Sequence, residues 1–157
     1  MVSVNDRKDH PSQLLIRMIE PRDAVEVCVL TKQLGYDRSV EEIENWIDSL
    51  KDRAANQAAF VASIADEVVG WIEISIEHRL QSAPYALIGG LVVKDGFRNQ
   101  KIGLRLCERA ESWSWENGIS VVRVTSRSTR VDAHRFYEKN GYHLAKVSHI
   151  FEKQGQE

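Results

Sequence analysis

The sequence predicts an α/β fold, a mixed central β-sheet flanked by helices on both faces, and three observations carry that reading. Residues 39–50 place Ile43, Trp46, Ile47 and Leu50 at i, i+3, i+4 and i+7, the apolar stripe of an amphipathic helix. Within 68–77, Ile72, Ile74 and Ile76 alternate with Glu73, Ser75 and Glu77, the two-residue period of a half-buried strand. Residues 85–93 are almost continuously apolar, which marks a strand covered on both faces and therefore central.

The other elements follow in chain order. Residues 14–20 read as a short first strand. Pro21 suits the first turn of a helix whose apolar face holds Ala24, Val27, Cys28 and Leu34, and Gly35 ends it. Ser39 with Glu42 three residues on forms a capping box that opens the second helix. Strands at 59–65 and 68–77 flank a hairpin turn at Asp66-Glu67. Gly89-Gly90 inside the central strand predicts a bulge or a close backbone approach. A loop at 94–101 precedes a helix at 102–117 with Ile102, Leu106, Ala110 and Trp113 on one face, stopped by Gly118. A β-branched strand at 119–125, a helix at 131–140 stopped by Gly141, and a final strand at 142–152 complete the order β-α-α-β-β-β-α-β-α-β. No repeat or linker interrupts 14–157, read as one domain after a disordered segment at 1–13.

Bulk properties narrow the function. At 43% hydrophobic and 28% charged residues, the composition is that of a soluble globular domain. No run approaches the roughly 18 apolar residues of a membrane span, and the polar N-terminus lacks a signal peptide's apolar segment, so a cytoplasmic location is the expectation. Cys28 and Cys107 stand in no metal-ligand spacing and read as small buried thiols; no metal site is expected. A net charge of −2 argues against a nucleic-acid partner. That charge is uneven: 39–52 holds five acids against one base, while 94–109 and 123–139 each hold five bases against two acids. Charge runs usually mark solvated faces, but two basic segments in an acidic protein also suit a bound anion.

The chemistry concentrates where the Gly-interrupted strand meets a basic loop and a helix that opens at once. A helix N-terminus offers unpaired N–H donors and a partial positive charge, a natural seat for phosphate. Arg98 and Lys101 add charge, and Gly103 lets the backbone approach closely. These residues alone are equally consistent with a basic loop whose glycine serves packing. A Rossmann-type nucleotide site is disfavoured, because no GxGxxG follows the first strand.

The run LIGGLVVKDGFRNQKIGLRL resembles the central acyl-CoA motif of the GNAT superfamily, with Arg98 and Gly103 on its first and last fixed positions. The segment TSRSTRVDAHRFYEKNGYH is similar to that family's later motif, with Ala133, Phe136, Tyr137, Gly141 and Tyr142 on its positions. The resemblance spans nearly the whole chain and implies the GNAT acyltransferase fold and acetyl-CoA as cosubstrate. It implies that the backbone of Leu91, Val92 and Val93 pairs with the pantetheine arm, one N–H facing the thioester carbonyl as an oxyanion donor. The N–H groups of Asn99, Gln100, Lys101, Ile102, Gly103 and Leu104 would cradle the pyrophosphate. Arg130 stands where many relatives carry Asn near the pantetheine arm, and it suits that arm, a phosphate or solvent.

Tyr137 falls where many members place the general acid that protonates the departing thiolate. The chemistry is sound: a phenol with pKa ordinarily near ~10 holds its proton at neutral pH, and a thiolate whose acid lies near ~8.5 can accept it. Phe136 reads as core. The implied activity is N-acetylation of a primary amine, on a small cationic molecule or a lysine side chain, because the acids Glu41, Glu42, Glu44 and Asp48 fall on the wall where such acceptors enter. A non-catalytic acyl-CoA sensor or assembly module on the same fold is the competing reading, and homodimers are common in the family. Two departures stand out. The family's usual glycine is Lys101 here, costly if the turn needs positive φ. Gly89-Gly90 replaces the carboxylate many relatives use as base, leaving Glu73, Glu77, His78 or a water as candidates.

Overall fold

The computed structural model describes residues 13–98 and 100–156, in two compact units that divide between Thr125 and Ser126. Apart from Gln13, the segment expected to be disordered lies outside the described residues, as does Asn99.

The first unit is built on a five-stranded sheet in sequence order: β1 (Leu15–Met18), β2 (Gln57–Ile64), β3 (Glu67–Glu77), β4 (Tyr85–Val93) and β5 (Val122–Val124). Each of the first four strands is antiparallel to its neighbour, and β5 joins β4 in parallel, so the sheet is mixed as expected. The β2–β3 turn falls one residue earlier than predicted, with Ala65 and Asp66 at φ 51° and 65°. Positive φ at both central residues is the geometry whose twist matches a two-residue hairpin, so the turn sits where strand twist needs it, although Ala65 tolerates that backbone poorly.

Helices cover both faces of this sheet. Against one face, α1 (Ala24–Leu34) and α2 (Val40–Leu50) bury Ala24, Val27, Leu30, Ile43 and Ile47 with Val61 and Val92. Gly35 at φ 110° ends α1, and Ser39 and Glu42 form the reciprocal capping box that opens α2. Against the other face, α3 (Ile102–Glu116) buries Ile102, Leu106, Cys107, Ala110 and Trp113. It packs so closely that a Cβ on Gly70 would lie 3.1 Å from Leu106 and 3.4 Å from Ile102. Burial, reinforced by Glu111 and Glu108, pushes the Cys107 thiol up to about 12, so it is an inert core group. Cys28 is half-buried and donates to the Arg38 carbonyl.

A buried ion pair ties β1 to the start of α1. Both guanidinium nitrogens of Arg17 donate to Asp23 at 2.8 Å, and the backbone N–H of Glu20 donates to the same carboxylate at 2.8 Å. Asp23 is 2% exposed. Burial pushes its carboxyl up, but the Arg17 and Glu20 hydrogen bonds outweigh it and hold the group below the usual aspartate range.

The second unit holds α4 (Val131–Lys139), followed by Gly141 at φ 92°. The final strand expected at 142–152 is not formed: these residues have no ladder partner among the described residues. Leu144, Val147 and Ile150 recur every third residue, so no strand face collects them. All three are exposed, as is Phe151. Phe136, expected in the core, is half-buried.

Candidate active site

The loop into α3 has the features expected of an anion seat. No described side chain caps this helix, its first turn holds no acid, and its first backbone bond runs from Arg105 N–H to the Lys101 carbonyl. The N–H groups of Ile102, Gly103 and Leu104 precede that bond and are the orphan donors of a helix N-terminus. Ile102 is 2% exposed, so its side chain serves the core and only its backbone can face a ligand. Arg98 and Gln100 are exposed, with Arg98 paired to Asp95 at 3.2 Å. A pyrophosphate therefore fits the charge and the donors present.

Lys101 sits at φ 60°, ψ 19°, so the turn does need the left-handed backbone that glycine adopts freely. A non-glycine residue there costs roughly 1–2 kcal/mol, partly offset by glycine's greater freedom in the unfolded chain. Lys101→Gly is expected to raise Tm by about 2–4 °C while weakening binding of a pyrophosphate-bearing ligand through the lost ammonium. Thermal unfolding with and without CoA reads both effects; a Tm at or below that of the parent would remove the strain argument.

The glycine pair on β4 makes the predicted bulge. Gly90 pairs with Glu73 and Ile88 with Ile74, which leaves Gly89 as the extra residue. A Cβ on Gly89 would lie 3.1 Å from Glu73 Oε2, and one on Gly90 would meet the Trp71 ring at 2.7 Å. The glycines therefore make room for two large side chains reaching across from β3. Leu91, Val92 and Val93 pair with Ile72, Trp71 and Gly70 on the β3 side. On the other side β5 pairs only with Ala86–Ile88, so among the described residues this stretch of β4 has no second strand partner. That free edge suits an extended amide-bearing ligand such as the pantetheine arm. Gln33 already donates to the Val93 carbonyl at 2.8 Å.

A separate cavity of about 160 Å³ opens between α1, α2 and the same sheet face. Pockets for drug-sized ligands run to about 300–1,000 Å³, so this one suits a small molecule. Its walls are mostly apolar, with Trp46 and Trp71 as the aromatic surfaces, and among the described residues lining it Glu73 supplies the carboxylate and Arg38 the cation. Trp71 Nε1 is buried without a hydrogen-bond partner. Of the three base candidates only Glu73 lines the cavity. Glu77 accepts from Ser75 and lies 3.6 Å from Arg79, and His78 contacts Asn56 at 3.1 Å. The acids Glu41, Glu44 and Asp48 are exposed and do not line it, while Glu42 is engaged by Ser39 and Arg38. Trp46, on the stripe that predicts core, serves as both core edge and cavity wall.

Sequence reasoning named Glu73 without separating it from its neighbours and missed Gln57 and Trp71. The signal was the cross-strand register, which puts Trp71 and Glu73 on one face opposite two glycines, and which no local pattern prints. In the second unit, Tyr137 packs edge-on against Phe136 and Tyr142 at centroid distances of 5.3 and 5.8 Å. Arg130 is exposed at the N-terminal end of α4, its carbonyl accepting from His134 N–H. Among the described residues no cluster of three metal-ligating side chains occurs, and no helix is long and apolar enough to cross a membrane.

Residues 26–142 match the model of the Acetyltransferase (GNAT) family. An aminoalkylphosphonate N-acetyltransferase of Salmonella typhimurium is 38% identical over 85 residues, 54% of this chain; the match spans 53% of that relative, about half its length. The aminoglycoside N-acetyltransferase AAC(6')-Iy, solved in complex with CoA, superposes with a TM-score of 0.83 at 17% identity, covering 94% of this chain and 99% of that one. A transcriptional regulator from Bacillus halodurans C-125 gives a TM-score of 0.77 at 22% identity, covering 90% and 100%. These two structural likenesses speak to the fold.

Proposed function

We propose that this chain, which belongs to the acetyltransferase (GNAT) family, is an N-acetyltransferase that moves an acetyl group from acetyl-CoA directly onto the primary amine of a small molecule. The observation that carries the reading is the pairing of two complementary places on one unit: a helix N-terminus that is acid-free in its first turn and, among the described residues, uncapped and beside a free strand edge, and a small cavity that presents a carboxylate. The first suits a pyrophosphate and its amide arm, and the second suits an ammonium. Leu91, Val92 and Val93 would hold the arm, and Asn99, Gln100, Lys101, Ile102, Gly103 and Leu104 with Arg98 the pyrophosphate. Tyr137 would return a proton to the leaving thiolate, and Arg130 would reach the cofactor or solvent. Acetyl-CoA supplies the activated thioester; the protein's part is to orient the amine, free it of its proton and exclude water.

The acids of α2 favour a cationic acceptor only as a long-range field, because they stand on the outer face and are screened by solvent. A second reading has an observation of its own. Arg38 and Glu73 line one cavity, a charge pair that matches an amine carrying an anionic group, and the Salmonella relative is named for such a substrate.

The test is a thiol-release assay with acetyl-CoA and a panel holding spermidine, an aminoglycoside, a lysine peptide and 2-aminoethylphosphonate, preceded by thermal unfolding with acetyl-CoA. A raised Tm and thiol release with at least one amine are expected. Stabilisation without release across the panel would favour a non-catalytic acyl-CoA sensor. No shift with any acyl-CoA would overturn the assignment. Preference for spermidine supports the cationic acceptor, and preference for the phosphonate the zwitterionic one.

A further inference from the structure

We propose that Glu73 is the group that takes the proton from the acceptor's ammonium, and that Gln57 and Arg53 are the positioning residues that hold its carboxylate at the cavity. The proposal rests on the transfer reading above. An alkylamine of pKa ~10.4 is free base only to about one part in 10³ at neutral pH, so transfer at useful rates needs a nearby acceptor for that proton.

The geometry supplies one. Gln57 Nε2 donates to Glu73 Oε1 at 2.6 Å, while Gln57 Oε1 accepts from Arg53 Nε at 2.7 Å. A guanidinium can only donate, so the Gln57 amide has a single orientation, with its NH2 turned to the carboxylate. Arg53 is held in turn: Nη1 donates to Ser49 Oγ at 2.7 Å, Ser49 donates to the Trp46 carbonyl at 2.9 Å, and the guanidinium lies 5.4 Å from the Trp46 ring centre. The chain thus runs from the α2 backbone to one oxygen of Glu73. The other oxygen, Oε2, lies beside Gly89, where even a methyl group would come within 3.1 Å. One oxygen is fixed by a donor and the second is given space by the bulge. Among the described residues, Arg38 lines the same cavity as Glu73, and Arg53 reaches its carboxylate through Gln57.

The proton balance closes. The ammonium gives its first proton to the Glu73 carboxylate, from which it passes to solvent, and the neutral nitrogen attacks the thioester carbonyl. As the C–N bond forms and the C–S bond breaks, the nitrogen sheds a second proton and the thiolate takes one up. The products are the acetamide, the free thiol and one proton.

The experiment uses the full chain, with spermidine and 2-aminoethylphosphonate as amine probes and thiol release measured from pH 6 to about 10. Glu73→Gln is expected to lower kcat about 10²-fold or more at neutral pH, with the deficit shrinking as pH approaches the amine's own pKa. Gln57→Leu is expected to move the profile in the same direction by a smaller factor, with Gln57→Glu failing to rescue it because two carboxylates would then repel. Thermal unfolding establishes that each variant folds, and calorimetric titration of the probe gives a readout independent of turnover: Glu73→Gln should bind the ammonium more weakly. A Glu73→Gln rate equal to wild type, or a deficit constant across pH, overturns the role of Glu73 alone. No thiol release by the wild type with either probe or with the wider panel overturns the transfer reading and this role with it.

Discussion

Arg17→Ala is expected to lower folding stability by about 3 kcal/mol, the cost of leaving a buried carboxylate without its counter-charge. Among the described residues, the Glu20 N–H is the hydrogen-bond donor left to Asp23 in that variant. Denaturant unfolding at pH 7 measures the loss. A double substitution to apolar residues at 17 and 23 should recover most of it, since the penalty is the orphaned charge more than the lost pair. The pair also sets a pH dependence. Asp23's folded carboxyl lies below its unfolded value, so its contribution is complete above the ordinary aspartate pKa near ~4 and is lost as pH falls through the lower folded value. Arg17→Ala should flatten that acid limb. A loss below about 0.5 kcal/mol, with the limb unchanged, would show that the pair is incidental.

Tyr137→Phe is expected to lower kcat by about 10²–10⁴-fold, the usual worth of a general acid, while leaving acetyl-CoA binding unchanged. Phenylalanine preserves the edge-on contacts with Phe136 and Tyr142, and thermal unfolding of the variant separates a loss of rate from a loss of folding. The signature beyond rate lies in the leaving group: with an acyl donor whose thiol is more acidic than CoA, the variant's deficit should shrink, because that thiolate departs without help. An unchanged rate with acetyl-CoA removes Tyr137 as the acid.

Much of the fold was legible because its signals are local. The stripe Ile43–Ile47–Leu50 and the Ser39/Glu42 box define α2 from sequence neighbours alone, and both are found as expected. The continuous apolarity of 85–93 requires cover on both faces, and β4 is indeed contacted by both α1 and α3, which pack on opposite faces of the sheet. What failed was the strand at 142–152, where Tyr142, Val147, Ile150 and Phe151 invite a strand but the aliphatic residues Leu144, Val147 and Ile150 recur with a spacing of three, which a strand divides between its two faces. The α2 acids illustrate a different limit. Their charge is countable from the sequence, yet only the fold tells that they point away from the cavity. The left-handed backbone at Lys101 is likewise a property of the loop's closure, invisible in the side chain that occupies it.

The two glycines of β4 give the sheet a property that neither strand has by itself. A side chain at 89 would press on the Glu73 carboxylate, 3.1 Å from its Cβ, and one at 90 would collide with the Trp71 ring at 2.7 Å. Substitutions there will be strongly non-additive, each tolerated or not according to the state of its partner. An acid installed at 89 would crowd and repel the Glu73 carboxylate, so a small residue at 73 should make it better tolerated, and the carboxylate would then stand on β4 instead of β3. Enlarging the cavity by trimming Trp71 would similarly open position 90 to side chains now forbidden there. Libraries that vary one member of each pair at a time would therefore sample these positions poorly, because each substitution is judged against an unchanged partner.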